Sequence, residues 1–222
     1  MSSAQKDEPA RRQPADGAKR SEIIAAATER FARDGYNSTK WADIATDVGV
    51  GPTALYHYFG SKQHCLFVIL DEAAQDALER FERATGKHSD PAVALDAVVA
   101  DALDVTPREV QRLRVLVAEH GLLAVPRKPA REEQARQLAR ARTRALEVMW
   151  ATFLARAMER GVIPEGDARL LARAVLGLYN SIWQWFRPDG PVAFSVMSDF
   201  FRIRMLELLG VRFQSDEAAV AA

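Results

Sequence analysis

The stretch from Trp41 to Phe59 restricts the fold of this chain more than any other part of the sequence. Within it, the small residue Ala45 stands four positions before Gly49, a residue that can turn the backbone in the left-handed region. Apolar residues that can fill the angle between two short helices flank this pair at fitting offsets; they are Ile44, Val48, Val50 and Leu55. The spacing predicts a helix-turn-helix, with an ordinary helical hairpin as the alternative.

The remainder of the chain also shows the periodicity of helices. Ile23, Ala27 and Phe31 fall on one helical face near the N-terminus. Gly35 can end that helix as a C-cap, and the sequence from Thr106 to Glu109 has the form of a capping box. Nine helices are predicted, beginning near residues 19, 40, 52, 61, 91, 107, 130, 167 and 192. No useful length alternates with period two, so the predicted fold class is all-α.

The composition excludes several kinds of protein. Lys plus Arg and Asp plus Glu both number 30, so any contact with nucleic acid must come from a local arrangement of charge. The single Cys65 cannot form an internal disulfide, and the four histidines suggest no ligand cluster, so we predict no metal site and no cofactor. The longest charge-free apolar stretch, 174–186, is shorter than the about 20 residues of a membrane span. We therefore expect a cytoplasmic protein that makes no contact with membranes.

The segment from Ile23 to Lys62 carries a characteristic series of residues. They are Ile24, Ala27, Phe31, Gly35-Tyr36, Thr39, Asp43-Ile44-Ala45, Gly49-Val50, Leu55-Tyr56, Phe59 and Ser61-Lys62. With this series the segment resembles the DNA-binding head of TetR-family transcriptional regulators. The resemblance implies an N-terminal three-helix helix-turn-helix head and a C-terminal helical body for ligand binding and dimerisation. The expected domains are a disordered arm at 1–18, the DNA-binding domain at 19–62, the ligand-binding and dimerisation domain at 63–213, and a tail at 214–222.

The resemblance also implies which residues contact double-stranded operator DNA. Pro52 to Tyr58 would be the recognition helix in the major groove, where Thr53 can bond a base or a phosphate and Ala54 can meet a thymine methyl. The predicted DNA-binding residues are Thr39, Lys40, Thr53, Ala54, Tyr56, His57, Tyr58 and Lys62. Lys40 and Gly51 depart from the family pattern. Tyr58 has the alternative of packing against the first helix, and the arm is either a solvated tail or a basic contact to DNA.

The eighth and ninth helices are apolar on more than one face, which is typical of helices buried on more than one side. They predict a homodimer interface, with a monomeric core as the alternative. The resemblance implies an effector pocket between the fourth and eighth helices. The residues predicted to line it are Phe67, Leu70, Leu103, Leu116, His120, Trp150, Phe153, Leu154, Tyr179, Asn180 and Trp183. His120, Asn180 and Arg156 are the candidate polar anchors, each with an ordinary core or surface role as the alternative.

A narrower resemblance lies in residues 178–190. Its residues Asn180, Trp185, Phe186, Arg187, Pro188 and Gly190 resemble a signature of TetR-family regulators that respond to acyl-CoA thioesters, whereas Gln184 departs from it. The predicted function is a transcriptional regulator, most often a repressor, that an apolar small molecule releases from its operator. An acyl-CoA thioester is one candidate effector. One alternative is an interaction protein of the same fold that no longer binds DNA. An enzyme is the less favoured alternative, because the sequence lacks a phosphate loop and a nucleophile elbow.

Overall fold

The structure, a computed structural model, describes residues 12–211 of the chain and their side chains from residue 16 onward. That range consists of nine α-helices and contains no strand. The helices are α1 (Arg12–Asp34), α2 (Trp41–Asp47), α3 (Pro52–Tyr58), α4 (Lys62–Gly86), α5 (Pro91–Leu103), α6 (Pro107–Glu119), α7 (Ala130–Glu159), α8 (Ala168–Trp185) and α9 (Phe194–Leu208). A 3-10 turn, His120–Ala124, follows α6. The predicted all-α fold is confirmed, and no described helix has the length and apolar character that crossing a membrane requires.

Several helices begin at the residues that the sequence indicates. Thr106 Oγ1 accepts a hydrogen bond from the backbone of Glu109, whose carboxylate accepts one from the Thr106 N–H at 2.7 Å, which completes the predicted capping box. Ser61 caps α4 by accepting a hydrogen bond from the His64 N–H at 3.0 Å. Gly49 has a φ of 66°, the left-handed conformation that the turn between α2 and α3 requires.

The first helix is longer than the sequence predicts. It begins at Arg12, so residues 12–18 are helical and do not belong to a disordered arm. Pro14 lies in the first helical turn, where its missing N–H removes no intrahelical hydrogen bond. The Ser21 hydroxyl donates to the Gly17 carbonyl at 3.1 Å, four positions earlier. Residues 1–11 of the predicted arm and the predicted tail at 214–222 lie outside the described residues.

The buried apolar side chains form two clusters. The head cluster joins α1, α2 and α3 to the N-terminal half of α4, with smaller contributions from α6, the 3-10 turn and α7, and includes Ile44, Leu55 and Phe67. The body cluster lies among the C-terminal half of α4 and helices α5 to α9 and includes Phe81 and Trp183. Since α4 contributes to both clusters, the predicted division at residue 62 does not separate two cores. The first turns of α4 pack with the head.

Arg114 on α6 connects the ends of two other helices. Its guanidinium donates one hydrogen bond to the carbonyl oxygen of Phe186, just past α8, at 2.7 Å. It donates another to the carbonyl oxygen of Ala32, in the last turn of α1, at 3.3 Å. The last carbonyls of a helix have no partner within the helix and attract positive charge. One cation therefore stabilises a helix end in the head and a helix end in the body.

Candidate DNA-binding surface and effector cavity

Helix α3 is held by one face and presents the other to solvent. Leu55 and Phe59, the residue that follows the helix, are completely buried, because they anchor the helix in the head cluster. Four of the five predicted DNA-contacting residues of α3 are exposed: Thr53, Ala54, Tyr56 and His57. The spacing of the two anchors determines this division, since residues on the opposite side of a helix cannot reach the same core. The geometry suits insertion of α3 into a major groove.

Tyr58, the fifth of these residues, lies partly against α1. Its side chain is half-buried and its hydroxyl is 3.4 Å from Oδ1 of Asp16. The pKa of Tyr58 is raised, first by desolvation and then by the nearby Asp16 carboxylate. Tyr58 therefore packs on α1, as in the alternative considered for it, and keeps part of its surface accessible.

Thr39 and Lys40 differ sharply in their surroundings. Thr39 is buried, and both its backbone N–H and its hydroxyl donate to the carbonyl oxygen of Gly35, at 3.2 and 2.9 Å. In this arrangement its hydroxyl supports the turn before α2 and is not presented to a phosphate. The N-cap of α2 is the next residue, Lys40. Lys40 is exposed and makes no ion pair with any residue that the structure describes. Lys40 is therefore an accessible cation beside the N-terminus of α2.

The Lys62 side chain, at the start of α4, donates hydrogen bonds to the loop between α1 and α2. Its ammonium donates to the carbonyl oxygens of Tyr36 and Thr39 at 2.7 and 2.9 Å and lies 4.1 Å from the centre of the Tyr36 ring. Desolvation lowers the pKa of Lys62. An ammonium group has three N–H donors, so these two carbonyls leave one donor that they do not use.

We expect Lys62→Ala to weaken binding to every DNA sequence to a similar degree. Removing one phosphate contact should reduce the slope of log affinity against log salt by about 0.9 per subunit. Fluorescence anisotropy titrations at several salt concentrations measure this slope. Lys87→Ala, at the other end of α4, is the matched control and should leave the slope unchanged. A Lys62→Ala protein with an unchanged slope and a lower melting temperature would limit Lys62 to supporting the loop.

The body contains a cavity of about 60 Å³ among α4 to α9. Its walls are mainly apolar and include Phe81, Leu113, Trp150 and Leu176. Pockets for drug-sized ligands usually measure about 300–1,000 Å³. The described conformation therefore has room for only a few water molecules, and a larger effector can enter only if the surrounding helices move apart.

The residues predicted to line the pocket are only partly those that do. Trp150 and Tyr179 line the cavity, as predicted. The other predicted residues lie elsewhere: Leu103, Leu154 and Trp183 are buried in the body cluster, Phe153 packs at its edge, Phe67, Leu70 and Leu116 belong to the head cluster, and His120 and Asn180 are exposed. Arg156 is also exposed. The prediction identified the correct helices but placed the cavity too close to the head, because apolar spacing does not fix the position along a helix where a void remains.

Four charged residues that sequence reasoning missed line the same cavity. Asp76 pairs with Arg112 at 2.8 Å, and Arg80 pairs with Glu109 and donates to the Asp104 carbonyl at 2.7 Å. Burial raises the pKa of Asp76. Burial also acts to raise the pKa of Glu109, but hydrogen bonds from Thr106 and the charge of Arg80 outweigh it, so this pKa lies below its usual value. A charged residue in a helical pattern is ordinarily expected on the solvent-exposed face. For that reason no pattern in the sequence pointed to these four residues as part of a cavity.

Large apolar side chains are exposed along α8 and α9. They are Leu170, Trp185, Val196, Phe200, Ile203 and Leu208. Trp185 and Phe200 keep 47% and 54% of their surface accessible, and the Trp185 ring lies 6.2 Å from that of Phe201. Where exposed apolar side chains of this size adjoin one another, the surface usually binds a partner.

Two family models match the chain. One, described as bacterial regulatory proteins of the tetR family, matches residues 23–69 and includes the helix-turn-helix. The other, described as the C-terminal domain of tetracyclin repressor-like proteins, matches residues 88–208, which is more than half of the chain. The two matches correspond to the head and the body.

Individual proteins are similar to this chain over most of their length. The HTH-type transcriptional repressor KstR2 of Mycobacterium tuberculosis is 24% identical over 176 residues, which cover 78% of this chain and 84% of KstR2. The TetR-family regulator PfmR from Thermus thermophilus has 26% identity and a TM-score of 0.69, covering 86% of this chain and 99% of PfmR. AibR, solved with isovaleryl coenzyme A and operator DNA, has 20% identity and a TM-score of 0.72, covering 87% of this chain and 100% of AibR, and shares the fold.

These matches agree with the geometry. The head has the arrangement of a helix-turn-helix with an exposed second helix, and the body has the helical architecture and internal cavity of a ligand-binding domain. The family consists of transcriptional regulators and not of enzymes. The chain therefore belongs to the TetR family of bacterial regulatory proteins.

Proposed function

We propose that this regulator is a repressor that binds operator DNA as a homodimer and leaves it when an apolar small molecule occupies the body cavity. The observation that carries the proposal is the position of α4. Its N-terminal half, with Leu66 and Phe67, lies in the head cluster, while Asp76, Arg80 and Phe81 of its C-terminal half line the cavity. A ligand that widens the cavity must displace one wall, and α4 extends from that wall into the head.

Dimerisation through α8 and α9 completes the proposal. The apolar side chains exposed on these two helices would be covered by the same surface of a second copy, as in a two-fold symmetric interface. Two heads carried by one dimer would then reach major-groove faces about 34–36 Å apart, or a multiple of that spacing. A small change in the tilt of α4 in each subunit alters this distance and so the fit to DNA.

An acyl-CoA thioester is our candidate effector. The resemblance of residues 178–190 to a signature of acyl-CoA-responsive regulators supports it, and in the structure Trp183 and Phe186 of this segment are buried in the body cluster. AibR, which shares the fold, has been solved with isovaleryl coenzyme A. Gln184, where a basic residue would bind a CoA phosphate, is the feature that counts against a thioester.

The test is binding to the DNA upstream of the chain's own gene, followed by release. We expect a specific gel shift, and we expect one class among free acids, acyl-CoA thioesters and polycyclic apolar compounds to weaken it by about 5–150-fold. Linkage requires that operator DNA weaken the binding of the same compound by the same factor. Absence of specific DNA binding would favour an interaction protein of the same fold. A compound that binds the body without changing operator affinity would disprove the role of α4.

A further inference from the structure

The charges that line the cavity balance each other. Arg112 on α6 and Asp76 on α4 form one ion pair, and Arg80 on α4 and Glu109 on α6 form a second. Both pairs connect the same two helices, and both are largely shielded from solvent, with side chains between 19% and 39% exposed. The apolar cavity therefore has one polar wall, which carries no net charge.

One donor on this wall lacks a partner. Nε of Arg112 is buried and makes no hydrogen bond in the described structure. Buried donors in folded proteins are almost always bonded, and leaving one unbonded is unfavourable. The cavity in its present size has no room for an effector that could accept this hydrogen bond. A ligand that displaces the other walls of the cavity and leaves α4 and α6 joined would bring an acceptor to it.

We propose that the Asp76–Arg112 and Arg80–Glu109 wall selects effectors whose buried polar group is a neutral oxygen acceptor, such as a ketone, ester or thioester carbonyl, and rejects free carboxylates. This inference rests on the proposed function of the cavity as the effector site. A neutral carbonyl can accept from Arg112 while both ion pairs stay in place. It also leaves the charge of the wall unchanged.

A carboxylate meets a different environment on the same wall. Its negative charge would lie beside the carboxylates of Asp76 and Glu109, whose own cations are already paired. To bond the Arg112 guanidinium it must lie beside the Asp76 carboxylate that already pairs with it, in a poorly solvated place where two like charges repel strongly. A pure hydrocarbon meets no repulsion but leaves Nε of Arg112 without an acceptor. A neutral carbonyl avoids both penalties. The wall therefore selects it in two ways, by repelling carboxylates and by offering the carbonyl a hydrogen-bond donor.

The test compares ligands that differ only in the polar group. Straight-chain, branched and polycyclic skeletons are each offered as a methyl ketone and as a carboxylate, and CoA thioesters are compared with CoA thioethers of equal length, which lack the carbonyl. Binding is measured by thermal shift and calorimetry without DNA. We expect the carbonyl compound to bind about ten- to a hundredfold more tightly than its partner wherever a skeleton binds. Equal or tighter binding of the carboxylates and thioethers, or no binding by any compound, would overturn the inference.

Two variants connect the preference to the wall. Arg112→Lys keeps a positive charge for Asp76 but removes the Nε donor, so it should lower the preference for the carbonyl about tenfold or more. Arg108→Lys, one turn earlier on α6 and outside the cavity lining, is the control and should keep the full preference. If a folded Arg112→Lys protein keeps the full preference for the carbonyl compound, Arg112 is not the residue that recognises the carbonyl. If the preference holds but no bound compound releases the operator, the proposed function fails and this inference stands.

Discussion

Replacing both Trp185 and Phe201 with aspartate is expected to yield a monomer that no longer binds its operator tightly. Each change would place an unpaired charge in the α8–α9 surface, which is unfavourable by several kcal/mol, and a symmetric interface contains every change twice. A monomer presents one head in place of two and loses the contacts of the second half-site. Sedimentation velocity over a range of concentrations measures the first effect, and a gel shift measures the second.

The structure refines the choice of variant. Phe201 is half-buried against Trp185 within its own subunit, whereas Phe200 is more exposed, so Trp185→Asp with Phe200→Asp disturbs the subunit core less. Val93→Asp is the matched control, because Val93 is a comparably exposed apolar residue on α5. It should remain a dimer. A soluble, dimeric and DNA-binding form of the Trp185→Asp, Phe200→Asp protein would place the interface on another surface.

Phe59→Ala should destabilise the head more than any surface change there. The Phe59 side chain is completely buried, its ring lies 6.4 Å from that of Trp41 and 5.7 Å from that of His64, and the Arg20 guanidinium lies 5.0 Å from its centre. Truncating a buried phenylalanine to alanine is unfavourable by about 3–5 kcal/mol. For a chain of this size that corresponds to a fall in Tm of about 6–20 °C. Calorimetry measures it, and operator binding should be lost with it.

Tyr56→Ala, on the exposed face of the same helix, separates folding from recognition. We expect its Tm to change little, because Tyr56 is exposed, while its operator affinity falls. The two variants should therefore reduce DNA binding for different reasons. A Phe59→Ala protein with normal stability would contradict the assignment of Phe59 to the head core.

The parts of the fold that depend on local chemistry are predictable from the sequence. The turn at Gly49 and the caps at Ser61 and Thr106 each follow from what one or two residues can do with the backbone. The exposed face of α3 is also predictable, since Leu55 and Phe59 determine which side is buried. Local rules of this kind do not depend on the rest of the chain.

The features that depend on tertiary packing are less predictable. The sequence predicts that Thr39 contacts DNA, but in the fold its hydroxyl donates a hydrogen bond to the carbonyl oxygen of Gly35. The body cavity lies farther along α4 than the apolar residues Phe67 and Leu70 suggest, because a void arises where helices diverge and not where apolar residues are most concentrated. The paired charges at the cavity could not be found from the sequence, since Asp76 and Arg112 are distant in the chain and become partners only in the fold.

The hydrogen bonds of Arg114 limit how freely the two halves of this regulator can be exchanged with those of other proteins. A chimera that fused residues 23–69 to a foreign body would keep the carbonyl of Ala32 but lose the guanidinium that binds it. Lysine would be a poor replacement for arginine there, because Arg114 uses two different nitrogens of its planar guanidinium for the two carbonyls, whereas lysine has a single nitrogen. A transplanted head would thus retain its DNA-reading surface yet lose a contact that orients it. The specificity of the head is portable, whereas its alignment with the second head depends on the body with which it folds.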